Sequence, residues 1–179
     1  MRRPALALLV LFCLFLSGCI GLGSGAPKKF DMPIESRLVL QVPYYPDGAG
    51  SYSQAALAAV MTYNGRPMTM AEANNIFGRR VLQPRNMVLH ARNAELKAEF
   101  FNSSPEYLIE AVRQSRPVIV RLGADVAPLR AGHYVVVVGY TQAGIVVNST
   151  DIHQQIVDWP DFLTAWLRAS NLAIMIEPL

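Results

Sequence analysis

Thiols, imidazoles and hydroxyls set the covalent chemistry open to this chain. Its 179 residues hold two cysteines, Cys13 and Cys19, and three histidines, His90, His133 and His153. Both cysteines lie near the start, so no thiol beyond residue 19 can attack a substrate, ligate a metal or pair in a disulfide. The histidines are scattered without the paired spacing of a zinc site, so neither a metal nor another cofactor is expected. His133 starts a buried-looking apolar run. A satisfied core histidine there would hydrogen-bond Tyr52 or Asn148.

The elements that must hold these groups follow from periodicity and punctuation. Arg37–Val42 alternates and is β-branched, which predicts a strand, and Pro43–Gly50 is loop. Ser53–Tyr63, with Ala55, Ala56, Ala58 and Ala59, predicts a helix slim enough to pack closely, stopped by Asn64-Gly65. Thr69 and Glu72 form a capping box for a second helix ending near Gly78. A third helix is expected over Asn86–Asn93, a strand over Leu96–Phe101, and a helix from Ser104-Pro105 to Gln114. Beyond it come apolar runs of strand length, Pro117–Leu122 and His133–Tyr140, of the kind buried on both faces. A turn at 142–144, strands over Ile145–Asn148 and Ile152–Val157, a helix from Trp159 to Arg168 and a strand over Leu172–Ile176 follow. Helices first and strands later predict an α+β fold. Trp159 and Trp166 are expected in the core.

The first residues place the domain. Arg2 and Arg3 precede an uncharged apolar run from Ala5 to Leu16, then Leu16-Ser17-Gly18-Cys19. A basic start, a short apolar core and small residues before the cut describe a secretory signal. The run is too short to span a bilayer, which needs about 20 residues. Leu-Ser-Gly-Cys resembles the lipobox at which bacterial lipoprotein precursors are acylated and cut, which implies residues 1–18 as signal and lipid on Cys19. Residues 19–36, rich in Gly, Ser and Pro with Lys28 and Lys29, predict a flexible tether before a domain over 37–179. The formal charge of +3 includes Arg2 and Arg3, leaving about +1 without them. No Lys/Arg run interleaved with aromatics occurs, so nucleic acid is not an expected partner.

From Val39 to Ile176 the order of elements resembles the bacteriocin-processing peptidases, papain-like enzymes that cut double-glycine leader peptides (cysteine-peptidase family thirty-nine). Arg116–Val120 is similar to that family's central strand, and Gly132–Tyr140 to the strand carrying its catalytic histidine. The resemblance implies a papain-like fold, with a helical first half packed on an antiparallel sheet. It departs at the chemistry. Counting back without gaps from Ala55–Ala58 puts Tyr52 at the cysteine position and Asp47 at the oxyanion-hole glutamine. The acidic position falls at Ser149, flanked by Asn148 and Asp151. Of the family's reactive residues only His133 remains. A one-residue shift would instead put Ser51 or Ser53 at the nucleophile.

The papain-like mechanism needs a thiolate whose pKa is lowered by an imidazole and a helix N-terminus. A phenol, with a pKa of about 10 and considerable bulk, cannot replace it and would fill the cleft. A carboxylate at Asp47 would repel the charge that an oxyanion hole stabilises, a term worth about 3 kcal/mol. The expected function is therefore a pseudopeptidase, a membrane-tethered module that binds a peptide or a secretion-system partner. The rival is a serine hydrolase, with Ser51 or Ser53 attacking and His133 as base, oriented by Asn148 or Asp151. The plainer role for Ser53 is a helix N-cap. A third possibility is a structural envelope lipoprotein. Tyr44 and Tyr45 could line a peptide groove. Ile20 after Cys19 points by analogy with sorting rules to the outer membrane, facing the periplasm.

Overall fold

The computed structural model describes residues 37–46, 51–127 and 129–179. The signal segment, Cys19, the tether and Asp47 lie outside the described residues. In chain order the elements are β1 (Leu38–Val39), α1 (Tyr52–Tyr63), α2 (Met70–Phe77), α3 (Pro84–Asn93), β2 (Leu96–Asn102) and α4 (Pro105–Arg113). Then follow β3 (Val118–Arg121), β4 (Tyr134–Tyr140), β5 (Gly144–Ser149), β6 (Ile152–Asp158), α5 (Trp159–Leu167) and β7 (Leu172–Pro178).

Local signals explain most of the boundaries. Thr69 Oγ1 accepts the Glu72 amide while the Glu72 carboxylate accepts the Thr69 amide, a reciprocal cap for α2. Gly78 closes that helix at φ +67°, a conformation that favours glycine. Ser104 caps α4 through the Tyr107 amide, and Pro105 occupies the first turn, where a missing N–H costs nothing.

Among the described residues all strands join one antiparallel sheet, ordered β2-β7-β3-β4-β5-β6, with β1 also paired to β4. β3 takes Tyr134–Val137 of β4, and β1 takes Gly139 and Tyr140, so the two follow one another along the same edge of β4. The strand expected over Arg37–Val42 is therefore only two residues long, continued by a bond from the Leu40 amide to the Val138 carbonyl. Its length is set by what β3 leaves uncovered. The close approach explains Gly139, where a Cβ would run into the Leu38 carbonyl oxygen.

Every residue of β4 and β5 is buried, so both faces of the central sheet are covered. The helix α1 packs on β3, β4 and β5, while α4 packs on β4 and β3, α3 on β2 and β7, and α5 on β5 and β6. Residues Ser53–Met61 of α1 are all buried. Leu57 alone, fully enclosed, contributes about 2 kcal/mol of hydrophobic stabilisation. Trp159 and Trp166 are core residues, their indole N–H groups donating to the carbonyls of Thr141 and Leu172. None of the described helices is long and apolar enough to cross a membrane.

Candidate functional site

The N-terminus of α1 and the start of β4 meet at one point. The Tyr52 ring lies on the His133 imidazole, centroids 3.6 Å apart and planes inclined by 22°. Tyr52 is the first residue of α1, whose N-cap position is Ser51. The Ser51 side chain makes no capping bond, although its carbonyl accepts the Ala55 amide. Ser53 is thus inside the helix, which corrects its expected role as N-cap. Its hydroxyl donates to Gln54 Oε1 at 2.7 Å and accepts the Leu82 amide at 2.9 Å. Gln54, wholly buried, donates through Nε2 to the carbonyls of Gly78 and Arg80. These bonds satisfy a polar pair that burial would otherwise penalise, and clasp the α2–α3 loop to α1.

His133 is presented by a tight turn. Gly132 sits at φ +81° and donates to the Leu122 carbonyl, while the Leu122 amide donates to the carbonyl of His133. Asp125 accepts the Ala131 amide at 2.7 Å and steadies the approach to that turn. The imidazole Nδ1 accepts a long contact, 3.4 Å, from the Arg130 amide. Burial holds the His133 pKa below its ordinary value; Arg130 adds to that, against the upward pull of Asp151 and Asp125. The ring is consequently neutral near pH 7.

Asn148 does not orient this histidine. Its Nδ2 donates to the Val42 carbonyl at 3.4 Å, and its Oδ1 accepts the Gln154 amide at 2.8 Å. The expected hydrogen bond from His133 to Tyr52 or Asn148 is replaced by the ring stack, because the β4 start lies face-on to the Tyr52 ring. Asp151 is exposed, accepts the Thr150 hydroxyl, and influences His133 only through its charge. Ser149 Oγ is buried with no hydrogen-bond partner among the described residues.

Behind the stack, between α1, β4 and β5, lies a cavity of about 10 Å³ bordered by Tyr44, Tyr45, Tyr52, Tyr134, Asn148 and Ser149. That is room for about one water molecule. Tyr45 is seated in the wall, its hydroxyl on the Met68 carbonyl and on Thr62 Oγ1. Tyr44 donates to the Thr150 carbonyl and stacks on His153 at 4.9 Å. The site thus carries two tyrosine–histidine stacks, each joining the first half of the chain to the sheet half. His90 is elsewhere, edge-on to Phe77. Among the described residues no group of three His, Cys, Asp or Glu side chains could hold a metal ion.

The model of the Peptidase_C39 like family matches residues 39–174. The chain belongs to the Peptidase_C39 like family. Solved structures agree on the papain-like α+β fold. The peptidase domain of Streptococcus ComA, a bi-functional ABC transporter involved in a quorum sensing pathway, is 19% identical, with 80% of this chain and 98% of that one covered and a TM-score of 0.59. A double glycine motif protease from an AMS/PCAT transporter, solved with its leader peptide, is 18% identical over 79% of this chain and 94% of that one, TM-score 0.63. A Bacillus anthracis protein described as a C39-like peptidase gives 18% identity, coverages of 80% and 98%, and a TM-score of 0.66. No curated protein matches the sequence.

In this C39-like domain the structure brings Tyr52 and His133 into contact, with Asn148, Ser149 and Asp151 at the adjoining strand end. Ser51 holds the N-cap position beside Tyr52, and Ser53 is bonded inward to Gln54 and Leu82. Sequence reasoning missed Gln54 and the pairing of Tyr44 with His153. A lone glutamine in an alanine-rich helix was the available signal for the first. Nothing local signals the second.

Proposed function

We propose that this C39-like domain is a non-catalytic module of a lipoprotein held through Cys19 in the bacterial envelope, on the outer membrane facing the periplasm. Its cleft holds a peptide, or a segment of a secretion-system protein, without cutting it. The observation that carries this is the Tyr52–His133 stack. Where a papain-like mechanism needs a thiolate beside its imidazole, a phenol ring covers the histidine face, and no cysteine follows residue 19. Tyrosine is a good binding anchor, and the pairs Tyr44–His153 and Tyr52–His133 provide two such surfaces side by side. The one-water cavity behind them leaves no interior slot, so a ligand would lie across the stacks. The double glycine motif protease solved with a leader peptide supports trying that peptide class first.

The second reading, a serine hydrolase, has the neutral His133 in its favour. Against it, the Ser53 hydroxyl is already donor to Gln54 and acceptor from Leu82. A fluorophosphonate probe on the full chain decides between them: no labelling is expected. Labelling that disappears in Ser51→Ala or Ser53→Ala would overturn the non-catalytic reading. A fluorescent double-glycine leader peptide is expected to bind and remain intact, more weakly to Tyr44→Ala. Failure to bind would leave a structural envelope role. Acylation of Cys19 is tested by the mass of the N-terminal peptide.

A further inference from the structure

A basic and apolar surface covers the α2–α3 corner, whose residues do not border the cavity behind the Tyr52–His133 stack. Between Ala73 and Ala94 the chain carries Arg79, Arg80, Arg85 and Arg92 and no Asp or Glu. All four arginines are exposed. The ion pairs among the described residues involve Arg66, Lys97, Arg116, Glu95 and Glu177, so Arg79, Arg80 and Arg85 have no acidic partner there. Interspersed with them are exposed large apolar side chains: Ile76 at 55%, Val81 at 62% and Leu89 at 46%.

The corner is one built surface. On α3 the exposed residues Arg85, Leu89 and Arg92 recur at i, i+4 and i+7, a single stripe, while Met87, Val88 and Ala91 face inward. Phe77 at the end of α2 packs edge-on against His90 at 5.1 Å, which joins the two helices beside Ile76 and Leu89. The intervening loop is fixed from beneath by the bonds of Ser53 and Gln54 to Leu82, Gly78 and Arg80.

We propose that this corner docks on an anionic lipid surface. Cationic side chains with apolar residues between them match an interface that presents negative headgroups over hydrocarbon. Guanidinium groups bind phosphate in two-pronged fashion, and Ile76, Val81 and Leu89 would enter the boundary below. The setting rests on the envelope anchoring proposed above. The 17 residues from 20 to 36 span at most about 60 Å, which keeps a domain anchored at Cys19 within reach of the bilayer.

The test separates docking from anchoring. Full-length protein with Cys13→Ser and Cys19→Ser, and therefore without lipid, receives an environment-sensitive NBD label at Leu89→Cys, or at Leu167→Cys on α5 as a remote control. With vesicles containing phosphatidylglycerol, the Leu89 label is expected to shift to shorter wavelength. With phosphatidylcholine alone, the shift is absent. It should vanish in 1 M salt, where screening acts within about 3 Å, and in the triple variant Arg79→Glu, Arg80→Glu, Arg85→Glu; the Leu167 label should not move. Equal emission in both vesicle types, or equal shifts at both sites, overturns the proposal. So does the same shift with a soluble acidic polypeptide in place of vesicles, which would mark a protein-docking face. The Cys19 acyl mass is read separately, so failure of anchoring and failure of docking are distinct results.

Discussion

The two walls of the cleft are built on different terms. The sheet wall, β4 and β5, is buried along its whole length and keeps polar groups at its end: His133, Asn148 and Ser149. The helix wall, the first turn of α1, presents a phenol and alanines to the cleft and turns its serine and glutamine inward to the α2–α3 loop. Burial requires apolar shape, which many sequences of one fold share. Reactivity requires a particular atom at a particular place, and packing does not protect it. The scaffold of a C39-like domain therefore stands on both walls, while the first turn of α1 meets His133 with a stacked ring.

The sheet wall should be the easier to wreck. Gly139→Val would drive a side chain into the backbone of β1, and a loss of about 3 kcal/mol in urea unfolding is expected. Helix-wall changes should be milder. Ser53→Ala removes the acceptor for the buried Leu82 amide and the donor to Gln54. It should cost about 2 kcal/mol without changing any labelling by a serine-directed probe.

A third variant would place a thiol nucleophile on the helix wall. Tyr52→Cys puts a thiol at the α1 N-terminus beside a neutral imidazole, and its alkylation at pH 7 should run about tenfold faster than that of a free thiol. An ordinary rate would mean that the geometry between the walls does not activate a thiol even when one is supplied.

The smallest effect concerns pH. His133 is held below its ordinary value of 6.5, first by burial. A histidine depressed on folding costs no stability above the unfolded value. The penalty grows as pH falls through the interval down to the folded value, and is constant below it. Stability should therefore decline from pH 7.5 to 5, and His133→Gln should flatten that decline. His90, depressed by burial as well, retains its own share. Tyr52→Ala should raise the His133 pKa, read by NMR titration, because it removes a covering ring.

How much of this was legible in the sequence depended on the range of the forces involved. The Thr69–Glu72 box, Ser104-Pro105 and the β-branched runs act within a few residues, and they predicted α2, α4, β3 and β4 within a residue or two. The length of β1 depends on how much of β4 is occupied by β3, a distant segment, so six expected strand residues became two. At the site, the contact of Tyr52 with His133 spans 81 positions and that of Tyr44 with His153 more than 100. No spacing rule reaches so far. Ser53 illustrates the same limit, since an N-cap and a buried bridge to Leu82 look alike in one dimension.

The short β1 ladder also has a mechanical consequence. Tension arriving along the chain from the Arg37 side would first load two paired residues and the Leu40–Val138 bond. These would peel before the long ladders of the sheet. The next segment released would be the one bearing Tyr44, and with it the Tyr44–His153 stack. Such a pull would thus slacken the rim of the cleft while the α1–β4 core stays folded.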